Sequence, residues 1–440
     1  MHIELPNNVK TIIKTLEEAG YEAYAVGGCV RDSILGRVPN DWDITTCALP
    51  LQTKALFKKT FDTGIQHGTI SILLDKEIYE VTTFRIDGEY EDSRHPKEVT
   101  FTANLKEDLL RRDFTINAMA YNDTVGLVDL YGGLDDVKNK TIRCVGKAHD
   151  RFSEDALRIL RAIRFAAQLD YDIEKETKDA IKDLAENLKN ISVERIQAEL
   201  TKIMTSDHPE YIRLAYELGV TKVFLEEFDV MMQTGQNNPH HCYSVGEHTL
   251  RVLSGVRNDK VLRYAALFHD IGKPASKTTD ENGIDHFKKH PYESEKITEG
   301  IMKRLKFDND TIHAVCRLVV NHDWVMTTPL DKVRRAVNRI GEEAFPMIFE
   351  LNLADMLAQS DYEREEKMDF LEKLRASYKE IVDNNQCISL KTLAVKGADL
   401  IEAGIKPGPE IGEILSRMLD VVLEDPQKNT KEELMKLLEV

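Results

Sequence analysis

The chain has 440 residues, with 59 Lys+Arg against 76 Asp+Glu and a net charge of −17. That length calls for roughly two to four domains, and the acidic balance excludes a polybasic protein that attracts nucleic acid or membrane by bulk charge. With 42% hydrophobic residues the chain can bury sizeable cores, so a disordered acidic tail is excluded as well. No apolar run approaches the roughly 18–20 residues needed to span a bilayer. The start, Met1-His2-Ile3-Glu4-Leu5-Pro6, has neither a basic nor an apolar leader region. Cys29, Cys47, Cys144, Cys242, Cys316 and Cys387 are scattered without a C-x-x-C pair, which suits a reducing compartment. The expectation is a cytoplasmic protein with no membrane partner.

From Val9 to Ala19 the apolar residues Val9, Ile12, Ile13 and Leu16 fall at helical spacing, and Gly20 marks the stop. Tyr24 to Val26, Thr69 to Leu74, Tyr79 to Phe84 and Val99 to Phe101 read as strands, rich in β-branched and aromatic residues. Gly27-Gly28 follows the first strand and precedes a helix start at Val30 to Gly36. Glycines there let backbone N–H groups approach a phosphate, and Arg31 adds a forked donor. Asp41-Trp42-Asp43-Ile44 comes next. Read as strand, it turns both carboxylates to one face, where they repel unless a cation such as Mg²⁺ sits between them. Glu80 is a candidate third carboxylate. Arg111 and Arg112 stand before an apolar run, read as a helix, that ends at Ala120; an Arg here is a candidate to hold a triphosphate or ribose.

From about residue 150 onward strand signals nearly vanish. Between Glu154 and Phe165 a period of 100° puts Asp155, Arg158, Arg161 and Arg164 on one half of a helix, opposite Ala156, Ile159, Leu160 and Ile163. One reading is a solvated basic face with a salt bridge. The other is nucleobase selection. A carboxylate accepts from the exocyclic amine of C or A, while an Arg donates to the ring nitrogen or carbonyl beside it. U and G present a carbonyl at the equivalent place, which the carboxylate repels. Gln233 to His241 is the best internal linker, and 383–385 is another loop.

His248 lies on a helix-like stretch, His269-Asp270 closes an apolar helix, and His290, His322 and Asp355 follow. Imidazole and carboxylate together suit Mn, Fe, Ni, Zn or Mg more than a structural zinc site.

Taken in order, these motifs closely resemble class II tRNA nucleotidyltransferases, the CCA-adding enzymes of the polymerase β-like nucleotidyltransferase superfamily. The resemblance runs through Val26-Gly27-Gly28-Cys29-Val30-Arg31-Asp32, Asp41-Trp42-Asp43-Ile44, Glu80 to Arg85 and Arg111-Arg112-Asp113-Phe114-Thr115-Ile116-Asn117. It continues through Tyr131-Gly132-Gly133, Arg151 to Arg158 and Ile191 to Ile196, covering about the first 200 residues. It implies that Asp41 and Asp43 hold Mg²⁺ and are catalytic. It further implies that Gly28, Arg31, Arg112, Asp155, Arg158, Arg161 and Arg164 form the nucleotide pocket. The 3′-hydroxyl of a tRNA would attack the α-phosphorus of CTP or ATP and displace pyrophosphate. Arg85 to Pro96 resembles the flexible loop such enzymes need for the final A, with His95 where the usual pattern has a second Arg. Lys396 to Gly412 looks like their tail, with a helix start at Pro407 to Ile411 as a candidate tRNA-phosphate contact.

The middle stretch resembles the HD phosphohydrolase superfamily, which implies His248, His269, Asp270 and Asp355 as ligands of a divalent transition metal, with His290 and His322 serving a second ion. The expected fold class is α+β: a mixed-sheet head (1–145), then an all-α neck (146–235), HD module (236–365) and tRNA-binding tail (366–440). Two further readings keep the same head, a bacterial poly(A) polymerase and the A-adding half of a split CC/A pair. A third makes the HD phosphohydrolase the main activity, with the head docking RNA.

Overall fold

Val9, Ile12, Ile13 and Leu16 are all buried along the first helix, Asn7–Glu18, and Gly20 leaves it at φ +89°, a left-handed turn that glycine accommodates. The computed structural model describes residues 1–88, 99–323 and 327–438. Its chain divides into two compact units, Met1–Glu226 and Glu227–Val440.

The first unit is built on a mixed sheet. In chain order its strands are β1 (Ala23–Val26), β2 (Ile44–Thr46), β3 (Thr60–Gly64), β4 (Thr69–Leu74) and β5 (Glu77–Thr83). A short hairpin of β6 (Arg85–Asp87) and β7 (Val99–Phe101) stands apart, and β8 (Met119–Asn122) and β9 (Gly126–Asp129) complete the sheet. The order is β3-β4-β5-β2-β1-β8-β9, with β2 and β5 parallel and the other neighbours antiparallel. All four β1 residues are buried, as a central strand covered on both faces requires. Tyr24, Val26, Phe84, Leu109, Ala120 and Val145 form one of its core clusters.

Three local expectations change. Asp41 and Asp43 lie just before β2 rather than inside a strand, so strand alternation does not by itself orient them. The run after Arg112 is not a helix but the 3-10 turn Thr115–Asn117 followed by β8. Asp113 explains this: its carboxylate accepts from the Phe114 N–H (2.8 Å) and the Asn117 amide (3.2 Å), and such local bonds compete with helix formation. The Glu154 to Phe165 stretch is also broken, into helices Ala148–Glu154 and Leu157–Leu169. Asp155 sits between them in extended conformation and accepts from the Leu157 N–H two residues on at 3.0 Å, a local bond that competes with a continuous helix.

Among its described residues the second unit is helical apart from the two-residue pairing of Thr278–Thr279 with Asp285–His286 and an isolated bridge between Asn238 and His241. The polar stretch 233–241 lies inside this unit, where the Asn237 N–H donates to Asp285 at 2.7 Å and Gln236 is buried. Near the end, Gly408 precedes the helix Pro409–Glu424. No helix among the described residues is long and apolar enough to cross a membrane. His95 and the rest of 89–98, the core of the expected flexible loop, lie outside the described residues.

Gly133 packs against the Thr115–Asn117 turn so closely that an added Cβ would sit 2.3 Å from the Thr115 carbonyl oxygen and 2.9 Å from Met119. Gly133→Ala is expected to lower stability by about 1–3 kcal/mol. Gly300→Ala, inside the helix His290–Arg304 with open space around it, should be neutral or stabilising. Urea unfolding of both variants checks this.

Candidate active site

Parallel pairing of β2 with β5 aligns Ile44 with Val81, so Asp43 and Glu80, one residue earlier on each chain, come side by side. Burial alternates along β5, with Tyr79 and Val81 inward and Glu80 outward. The Asp43 carboxyl is raised above its ordinary value, first by burial; Asp41 and Glu80 add to the rise and Arg112 opposes it. Asp41 and Glu80 therefore both act on Asp43 at this edge. That crowding is what a divalent cation relieves, and an all-oxygen set fits Mg²⁺.

Arg112 faces the same place. Its Nη2 lies 3.5 Å from fully buried Asp108, while its Nε is buried without a hydrogen-bond partner. Gly27 has φ +85°, which favours glycine, and a Cβ there would come as near as 3.1 Å to Arg112 Nη1. The guanidinium thus lies against the backbone of the turn that opens the helix Gly28–Ile34. A cation with unspent donor capacity beside a backbone turn is suited to phosphate oxygens.

Arg31 is buried and gripped on two sides. It donates to both Asp32 oxygens (2.9 and 3.0 Å) and to Asn117 Oδ1 (2.6 Å). Asn117 in turn donates to Asp113, whose other oxygen accepts from Arg161 at 2.8 and 2.5 Å. Burial alone would raise the Asp113 carboxyl, but Arg161 and Arg158 hold it far below the usual carboxylate range. Arg164 pairs with buried Glu199 at 3.0 Å, and burial pushes its guanidinium down to about 10, still charged at neutral pH. Arg158 donates to Glu154 (2.6 Å) and to the Arg111 carbonyl (3.0 Å). The arginine face is therefore not a solvated one: Arg158 and Arg164 are buried and Arg161 is partly so, each with a carboxylate partner.

Asp155 is held separately, its Oδ2 accepting from Arg195 at 2.8 Å. It meets Arg158 through the backbone, the Arg158 N–H donating to the Asp155 carbonyl at 3.0 Å. Sequence reasoning missed the anions that fix these cations: Asp108, Asp113 and Glu199, together with Asn117. Asp113 stands directly after Arg112, but neither charge nor spacing announces that it binds an arginine 48 positions later.

In the second unit, four imidazoles converge on one carboxylate. Among the described residues, two groups have ligand atoms mutually within 4.8 Å: His248, His269 and Asp270, and Asp270, His290 and His322. Asp355 adjoins the first, its Oδ1 2.8 Å from His248 Nε2 and 4.0 Å from His269 Nε2. Each ring turns its Nδ1 to a backbone carbonyl: Ala358 (3.4 Å), Ala266 (2.8 Å), Phe287 (2.9 Å) and Val319 (2.6 Å). Nδ1 is then the donor, and every Nε2 lone pair points inward, the arrangement that supports a metal ligand. The donor set fits a pair of divalent transition ions with Asp270 common to both. A cavity of about 960 Å³ reaches Asp270, His290, His322 and Asp355. Lys273 and His241, which sequence reasoning left out, line it too, with Lys273 Nζ 2.7 Å from Asp270 and 3.3 Å from His241 Nε2. Burial and Lys273 push His241 down to about 3, so it is neutral near pH 7.

Three family models match the chain: "Poly A polymerase head domain" over residues 23–143, "Probable RNA and SrmB- binding site of polymerase A" over 170–232, and a tRNA nucleotidyltransferase domain 2 over 291–438. The chain is 35% identical over 431 residues to a CCA-adding enzyme of Lactobacillus helveticus, covering 97% of this chain and 95% of the relative. It is 37% identical over 406 residues to that of Levilactobacillus brevis, covering 92% and 90%. Among solved structures, the Bacillus stearothermophilus CCA-adding enzyme in complex with CTP superposes with a TM-score of 0.72 at 29% identity, over 98% of this chain and 96% of the other. The Thermotoga maritima CCA-adding enzyme complexed with tRNA shares the fold, with a TM-score of 0.58 at 21% identity over 98% and 94%. Full-length kinship at this identity, on a chain whose first unit carries the expected sheet and carboxylate edge, has one consequence: the chain belongs to the family of CCA-adding enzymes.

Proposed function

We propose that the chain builds and repairs the 3′-terminal CCA of tRNA from CTP and ATP, releasing pyrophosphate, with Asp41 and Asp43 as its catalytic carboxylates. The observation that carries this is Arg112, half-buried beside the Gly27 turn and Asp43, with its buried Nε left without a hydrogen-bond partner. It supplies a phosphate grip directly beside the carboxylate edge. Mg²⁺ held by Asp41 and Asp43, with Glu80 beside them, would neutralise charge developing on the phosphates. Arg112 and the backbone at Gly28 orient the triphosphate, so that a tRNA 3′-hydroxyl meets the α-phosphorus in line. Asp155 accepts from the exocyclic amine of C or A, and Arg158 donates beside it. Arg31, Arg161 and Arg164 complete the pocket. Their ion pairs favour this reading, because a guanidinium fixed before substrate arrives needs no reorganisation when it binds.

The four-part division into head, neck, HD module and tail belongs to this proposal. Within it, the second unit is a separate HD-type metal centre. The inward Nε2 atoms around Asp270 favour two divalent transition ions, bound by His248, His269, Asp270 and Asp355 and by Asp270, His290 and His322. Work with phosphate esters is the chemistry such a pair supplies.

The first test uses tRNA ending before CCA, or after CC, with CTP, ATP or both, followed by sequencing of the ends. CCA restored on the first substrate and a single A on the second is expected. Extension of the CC-ended substrate alone would sink full CCA addition, and long A tails would replace it with poly(A) synthesis. Asp41→Ala with Asp43→Ala should lower addition on the order of 10³-fold or more. A second test separates the units: His269→Ala with Asp270→Ala is expected to lose bound transition metal by elemental analysis while keeping CCA addition within a few fold. Finally, tRNA affinity should fall with salt at a log–log slope of about −2 to −4, the mark of few phosphate contacts on an acidic protein.

A further inference from the structure

Phe165 occupies the C-terminal half of the helix Leu157–Leu169 and is buried, 6% exposed as a residue. Three guanidiniums approach that ring. Arg164 lies 4.1 Å from the centroid, Arg31 5.1 Å and Arg161 5.5 Å. Phe114 braces the ring from another side, edge-on at 5.7 Å. The three cations come from separate places in the chain: Arg31 from the helix after the Gly27 turn, Arg161 and Arg164 from successive turns of the later helix.

Each has an anion along its edge, Asp32 for Arg31, Asp113 for Arg161 and Glu199 for Arg164. Each of these carboxylates holds its guanidinium on one side only, and three like charges this close push one another apart. Arg161 and Arg31 both work against the charge of Arg164, beyond the effect of its burial. The negative face of an aromatic ring opposes that push from the centre. It attracts all three, covers apolar surface, and offers no hydrogen bond that would compete for the donors. A leucine would fill similar space and lack that field.

We propose that Phe165 is a positioning residue of the nucleotide pocket, holding Arg31, Arg161 and Arg164 in the arrangement that receives CTP and ATP through the field of its ring. The proposal rests on the reading that these arginines face the nucleotide. It assigns Phe165 an electrostatic role in addition to packing. The ring acts on substrate through the arginines and touches no reacting atom.

The test compares the full-length wild type with Phe165→Leu, Phe165→Tyr and a series carrying mono-, di- and trifluorinated phenylalanine at position 165. Fluorination drains the ring's negative face while nearly keeping its shape, so the series remains informative if Phe165→Leu fails to fold. KM and kcat are measured for CTP on tRNA lacking CCA and for ATP on tRNA ending in CC, with melting temperature followed in parallel. The expected result is a stepwise rise in KM for both nucleotides, reaching about tenfold for the trifluorinated ring and for leucine. The tRNA KM and the melting temperature of the fluorinated proteins should stay nearly constant, and tyrosine should remain within about threefold of wild type. A flat KM across the fluorinated series would overturn the proposal and reduce Phe165 to packing. So would a rise in KM that tracks loss of melting temperature. If the unsubstituted chain adds no nucleotide at all, the reading on which the proposal rests fails first and takes it down; if it adds CCA and the series is flat, only the Phe165 assignment falls.

Discussion

A buried charge must be met by a fixed partner, and the first unit is arranged around one case of that constraint, Asp113. This carboxylate accepts from Arg161, from the Phe114 N–H and from Asn117, and Asn117 accepts from Arg31. Through these bonds the turn before β8, the helix behind the Gly27 turn and the Leu157–Leu169 helix share one network. Buried ion pairs contribute little net stability, because desolvation offsets the attraction. What they supply is position: an arginine that has an anion on one side presents a defined edge on the other.

The carboxylate edge shows the complementary situation. Asp43 is raised first by its burial and further by Asp41 and Glu80, with Arg112 as the nearby counter-charge that opposes the rise. The carboxylate edge and the guanidiniums, each of the latter held by a carboxylate of its own, are thus separate features of the first unit. A metal–triphosphate, cationic at one end of its coordination and anionic along its oxygens, is complementary to such a division. The net charge of −17 is thus no obstacle to a nucleotide or RNA partner, because binding depends on where the cations are held rather than on their number.

Much of this was legible in the sequence, and the reasons for the rest are physical. Strand β4 was readable from its β-branched run, and the helix Asn7–Glu18 from its period, because local pattern and burial agree there. β8 was not readable: Met119 and Ala120 resemble helix residues, and their strand state comes from pairing with β1 and β9, which no local window contains. The Asp and Arg motifs pointed to a nucleotide site by type and order, yet their anion partners were invisible: Asp113 pairs with an arginine 48 positions away and Glu199 with one far back in the chain, while Asp108, four before Arg112, owes its role to a burial that no local pattern shows. The histidine cluster was legible as candidate ligands, but the four Nδ1–carbonyl bonds that aim the rings depend on helix ends that only the fold brings into place.

The central claim is that fixed protein side chains, with no nucleic-acid template, choose the nucleotide. Its most direct measurement offers tRNA lacking CCA all four nucleoside triphosphates at equal concentration and sequences the products. The account predicts C, C and A added in order and then a stop, with U and G rare at each position. Comparable incorporation of U or G, or continued addition beyond the single A, would contradict it.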